Sequence, residues 1–207
     1  MSRFDPEKHH RRSIRLPGYD YAQPGAYFVT ICTRRREGLL GAIVNGTVQP
    51  NEAGTMVGHW WRELDSRFPT IETDIAVVMP NHFHGIIIVG AALGGRPGRA
   101  ALAGHTAYNP SAGSQSRHPG GGAPTVGDVL DWFKTMTTNA YIRGVKALGW
   151  PPFQRRLWQR NYYEHIIRCA EELERVRAYI ADNPSAWGTD PENPGTPPVS
   201  YRELWQV

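Results

Sequence analysis

Two histidines separated by one residue, His82 and His84, flank Phe83 at the start of an apolar run that reaches Val89. On a strand, residues i and i+2 point to the same side, about 6–7 Å apart along the chain. Two neutral imidazoles so placed can grip one divalent cation, while Phe83 turns the other way into packing. The same spacing also describes two solvent-facing histidines on a hairpin edge. Tyr179 and Asn183 lie four apart and share a face of any helix that carries them. A phenol oxygen and an amide oxygen then address one site. Read singly, such a tyrosine belongs to an apolar stripe, and an asparagine before Pro184 ends a helix. Taken together, two imidazoles and one amide oxygen make a three-ligand metal site with open positions, the arrangement that polarises a phosphoryl oxygen. A tyrosine one turn from the third ligand would face that polarised group. Tyrosine is a poor nucleophile at its free pKa of about 10, so charge stabilisation on the attacked group helps it most. Covalent capture would store the energy of a broken phosphodiester for rejoining.

These residues need elements to hold them. Residues 26–33 are dense in β-branched and aromatic side chains and read as a strand. Asn51 precedes a helical run over 52–68, with Met56, Trp60, Leu64 and Phe68 as its stripe; Trp60 is expected in the core and Trp61 partly exposed. Residues 71–79 and 82–89 read as two strands joined at Pro80-Asn81. Thr125 caps a helix over 125–143, a strand lies within 153–168, and a last helix spans 170–183 before Pro184. The first six elements follow the split βαβ order. The expected fold is α+β and ferredoxin-like, an antiparallel sheet with helices on one face. Around a domain at 27–184 lie a basic arm (1–26), a flexible Gly/Pro-rich insertion (90–124) and a Pro-rich tail (185–207).

The chain has 207 residues, enough for one domain of about 150 residues plus extra segments. Mean hydropathy of −0.47 and the short apolar runs disfavour a membrane protein, and no secretory signal is visible, so a cytoplasmic location is expected. Cys32 and Cys169 are too few and too distant for a CxxC metal site or a disulfide framework. Net charge is +4, and 20 of the 23 basic residues are arginine. Arginine suits bidentate phosphate contact and stacking on bases, although a GC-rich genome also enriches it. Candidate nucleic-acid contacts are Arg11, Arg12 and Arg15 in the arm, Arg34, Arg35 and Arg36 at a strand end, and Arg155, Arg156 and Arg160 around Trp158, a mix of charge and stacking surface. Each run also reads as a solvated face.

The stretch Met79-Pro-Asn-His-Phe-His-Gly-Ile-Ile-Ile-Val89 resembles the HUH motif (His, hydrophobic, His) of single-tyrosine transposases. Four further stretches are similar to the REP-associated tyrosine transposases: Arg12 to Tyr21, Tyr27 to Thr33, Leu157 to Arg168 and Tyr179 to Pro184. They occur in that family's order. The resemblance implies an HUH endonuclease fold, His82, His84 and Asn183 as ligands of Mg²⁺ or Mn²⁺, and Tyr179 as the nucleophile. Tyr179 would cleave single-stranded DNA beside hairpin or palindromic repeats, leaving a 5′-phosphotyrosine and a free 3′-hydroxyl. Tyr162 and Tyr163 also lie in a motif, but on the expected strand; in the family the nucleophile lies on the following helix, ahead of the Asn-Pro step. Family members act as monomers or homodimers. Two other readings are a repeat-binding protein without turnover and a metal hydrolase that activates water.

Overall fold

The computed structural model describes residues 23–90 and 124–196. Gly25–Cys32 (β1) is buried along all eight residues because it is flanked on both sides. It pairs antiparallel with His82–Val89 (β5) and with Tyr163–Ile167 (β6), while Ile71–Val78 (β4) pairs with β5. The strand order is β4-β5-β1-β6, the expected antiparallel split βαβ arrangement. β5 is likewise buried throughout, as befits a strand with a strand on each side and cover on both faces.

Alternation along these strands divides the core in two. Tyr27, Val29, Ile31, Phe83, Ile87 and Val89 face Glu52–Arg67 (α1) and Val126–Leu148 (α2). Ala26, Phe28, Ile86, Ile88 and Ile167 face Ala170–Asp182 (α3) through Leu173, Val176 and Ile180. Thus α1 and α2 share one face, as the split βαβ core requires, while α3, the element beyond that core, covers the other, so helices lie on both faces of the sheet and not on one as expected. Local chemistry sets the helix ends. Asn51 Oδ1 accepts from Gly54 N (2.9 Å), and Thr125 and Asp128 form a capping box. α2 runs to Leu148, past the expected end at 143, because nothing breaks it until Gly149 takes the left-handed conformation (φ 72°). No helix among the described residues is long and apolar enough to cross a membrane.

Three further features differ from expectation. A small hairpin, Gly41–Val44 (β2) and Thr47–Pro50 (β3), turns at Asn45-Gly46, both at positive φ. On α1 the buried stripe is Ala53, Val57, Trp61 and Leu64, so Trp61 is core and Trp60 half-buried, the reverse of the expectation. Trp61 packs on Phe83 (4.6 Å between ring centres) and Phe133 (5.6 Å). It fits because Gly85 has no side chain; a Cβ there would meet Trp61 Cζ2 at 2.6 Å. Finally, the first part of the stretch set aside as a tail, 185–196, folds back and buries Asp190, Pro191 and Glu192. Residues 1–22 of the expected arm, 91–123 of the insertion and 197–207 lie outside the described residues.

Trp61→Ala is expected to cost about 3–5 kcal/mol in urea unfolding, and Trp60→Ala clearly less; equal costs would contradict this assignment of the core face.

Candidate metal centre and tyrosine helix

The β1–β5 register sets Cys32 opposite His82 and Thr30 opposite His84, all on the face beneath α3. Both imidazoles are fully buried, and each is held by its Nδ1. Asn81 Oδ1 lies 2.8 Å from His82 Nδ1, and Thr30 Oγ1 lies 2.8 Å from His84 Nδ1. The Asn81 amide nitrogen donates to the Arg36 and Glu192 carbonyls (3.2 and 2.8 Å). Its oxygen must therefore accept, which puts the His82 proton on Nδ1 and a lone pair on Nε2. The two Nε2 atoms face each other at 3.0 Å. Phe28 stacks on His84 (5.3 Å) and Trp187 on His82 (5.9 Å).

Burial pushes the His82 pKa down to about 3, with Arg36 adding to the shift and the Asn183 amide opposing it. Burial, then the neighbouring His82, holds His84 well below the ordinary range. Both rings are neutral at physiological pH, the form that ligates metal.

α3 and the segment after it close the site. The Tyr179 ring lies 5.5 Å from the His84 ring and 5.9 Å from Phe28, and its hydroxyl is buried. Asn183, at the C-terminal cap of α3, is 2% exposed and sits beside both His82 and Asp190; its buried side-chain oxygen makes no hydrogen bond. Asp190 Oδ2 is 3.6 Å from His82 Nε2. The donor atoms of His82, His84 and Asp190 lie within 4.8 Å of one another. Donors 3.0 Å apart suit neighbouring corners of an octahedron with bonds of about 2.1 Å, so the residues present fit a divalent cation. Asp190 and Trp187 were not read from the sequence as site residues. Their only signal was an aromatic and two carboxylates in a stretch otherwise rich in Pro and Gly.

No protein-family model matches the chain. An uncharacterized protein of Haemophilus influenzae is 34% identical over 189 residues, covering 91% of this chain and 96% of that protein. The chain belongs to that protein's family. Among solved structures, a REP-associated tyrosine transposase bound to a REP hairpin matches 84% of this chain and 74% of its own at 20% identity, with a TM-score of 0.50. The two share a fold, which bears out at that level the resemblance carried by the five ordered motifs. A candidate transposase from Deinococcus radiodurans R1 matches 81% of this chain and 95% of its own at 15% identity, with a TM-score of 0.42.

The other expected site residues fall into distinct places. Of the three tyrosines, Tyr179 packs on His84, Tyr162 packs against the core beneath α1 and α2, and Tyr163 lies edge-on to Phe28 at 6.3 Å. Arg34, Arg155, Arg156 and Arg160 line a cleft of about 400 Å³, continuous through shared residues with one of about 710 Å³ that includes Lys134 and Asn139. Arg35 reaches Gln154 Oε1 (3.3 Å). Arg36 is set apart by an ion pair with Glu192 (2.9 Å). Trp158 is 3% exposed and donates to Thr137 Oγ1 (2.8 Å), so it is a core residue and not a stacking platform. Arg11, Arg12 and Arg15 lie outside the described residues.

The buried histidines set a pH dependence. In the unfolded chain each takes a proton near pH 6.5, whereas folded His82 takes one only near pH 3 and folded His84 well below its ordinary range. Between these limits the unfolded state binds more protons, so stability is lost as pH falls, by up to about 1.4 kcal/mol per unit for each histidine. Asp190, raised chiefly by burial, works in the opposite sense. Melting curves of the metal-free protein from pH 7 to pH 4 are expected to show this loss, and His82→Gln/His84→Gln to flatten it.

Proposed function

We propose that this chain is a metal-dependent HUH transposase of the REP-associated type, which nicks and rejoins single-stranded DNA beside hairpin repeats. One observation carries the reading: two buried, neutral imidazoles converge at 3.0 Å directly beneath Tyr179. A fold shared with a tyrosine transposase that binds a REP hairpin supports it. His82, His84 and Asn183 hold the cation. The chemistry that a bound Mg²⁺ or Mn²⁺ supplies is polarisation of the attacked phosphoryl group.

Tyr179 Oη forms a bond to phosphorus as the phosphorus–O3′ bond breaks. The phenol loses its proton, the departing 3′ oxygen gains one, and the 5′ end stays on the tyrosine. Attack by a 3′-hydroxyl reverses these changes and rejoins a strand. Ring packing against Phe28 and His84 fixes the phenol's direction, which lowers the entropic cost of attack. The arginine clefts are the DNA track: Arg34, Arg155, Arg156 and Arg160 hold phosphates close to the end of β1, whose Cys32 lies opposite His82.

Labelled single-stranded hairpin oligonucleotides from the gene's flanks, incubated with Mn²⁺ or Mg²⁺, test the chemistry. A protease-sensitive protein–DNA adduct is expected, and Tyr179→Phe is expected to lower cleavage at least roughly 10³-fold without weakening metal binding. Cut ends with no adduct would instead mean hydrolysis by activated water, and binding without any cut a repeat-binding protein.

For the DNA track, Arg156→Ala/Arg160→Ala should weaken binding to all single-stranded sequences alike. The slope of log affinity against log salt should drop by about 1.4, two single-strand phosphate contacts. An unchanged slope would place the DNA elsewhere.

A further inference from the structure

The ligands supplied by two imidazoles and one amide carry no negative charge, yet they meet a dication in a buried site. Uncompensated charge in such surroundings is costly. One carboxylate is within reach. Asp190 is 3% exposed, and its two oxygens differ. Oδ1 accepts from the Glu192 backbone N–H at 2.6 Å, whereas Oδ2, sealed from solvent and with only the Asn183 amide beside the carboxylate, lies 3.6 Å from His82 Nε2. That oxygen and the two Nε2 atoms lie within 4.8 Å of one another, three donor atoms gathered about one point.

We infer that Asp190 is a further protein ligand of the cation held by His82 and His84, brought in by the segment that follows the tyrosine helix. The inference rests on the reading of the His pair as a metal site and adds the charged ligand that site lacks. Asp190 is not a loose side chain. The single turn Trp187–Thr189 ends at Asp190, whose N–H donates to the Trp187 carbonyl (3.3 Å), while the Trp187 ring stacks on His82. Two residues on, Glu192 accepts from Cys32 Sγ (3.0 Å) and pairs with Arg36 (2.9 Å). The Glu192 carbonyl accepts from Asn81, the residue that orients His82. The carboxylate is thus tied at both sides to the groups that aim the imidazoles. Two imidazoles with oxygen donors, one of them anionic, suit a first-row dication such as Mn²⁺.

The test uses the full chain loaded with Mn²⁺ and labelled with ¹³C at the aspartate carboxylates, read by electron–nuclear double resonance. Couplings to two imidazole nitrogens and to one carboxylate carbon are expected. Imidazole couplings without the carboxylate carbon would overturn the role of Asp190 and leave the His pair standing; absence of imidazole couplings would overturn both. Asp190→Asn keeps the acceptor for Glu192 N–H and removes the charge. It should weaken Mn²⁺ binding, followed by the signal of free Mn²⁺, by about tenfold or more. Wild-type affinity in that variant would also overturn the inference.

Discussion

Two imidazoles buried with their Nε2 atoms 3.0 Å apart form an arrangement that no local preference supports, and the neighbouring structure exists in the form that enforces it. Each buried Nδ1 needs a partner, and the β1–β5 register supplies one by placing Thr30 across from His84. The turn before β5 supplies the other through Asn81. That register is in turn fixed from the opposite face of the sheet. A slip of one residue would exchange the two faces of β5 and bring a side chain to the place of Gly85, which Trp61 fills. Packing between α1, α2 and the sheet therefore determines where the histidines, on the opposite face, point.

The other half of the site is assembled from the chain's far end. α3 lays Tyr179 over His84 and Phe28 and ends with Asn183 between His82 and Asp190. The chain then turns back and inserts Trp187, Asp190 and Glu192 beneath the end of β1. Arg36 and Glu192 neutralise each other there. The pairing tempers the repulsion that Arg36 would exert on a cation at His82, a repulsion already visible in its lowering of the His82 pKa.

What the sequence disclosed follows the range of the forces involved. The sheet strands, the three helices and the His82/His84 pair were legible because periodicity and caps act over a few residues. The same local logic failed on α1, where Met56-Trp60-Leu64 and Val57-Trp61-Leu64 both satisfy helical spacing; only the space left by Gly85, on a strand twenty-four residues away, decides between them. The Asn45-Gly46 hairpin carried a recognised turn signal, but on strands of four residues. Trp158 resembled a stacking surface because arginines flank it in sequence, whereas its ring turns inward to Phe133 and Thr137. Asp190 was not legible at all, because its role depends on a chain reversal that no nearby pattern encodes.

The charge distribution separates two tasks that one residue type could not perform together. Attracting a polyanion needs cations that persist at every physiological pH, which arginine provides; Arg34, Arg155, Arg156 and Arg160 stand in open clefts where water offsets their charge. Holding a metal needs lone pairs, which a protonated imidazole lacks, and burial keeps His82 and His84 neutral. On the proposed function, DNA drawn to those arginines would favour the protonated form of histidines exposed beside them and remove their lone pairs. Their place beneath α3, with an aromatic ring against each, would shield them from that effect in the proposed reaction.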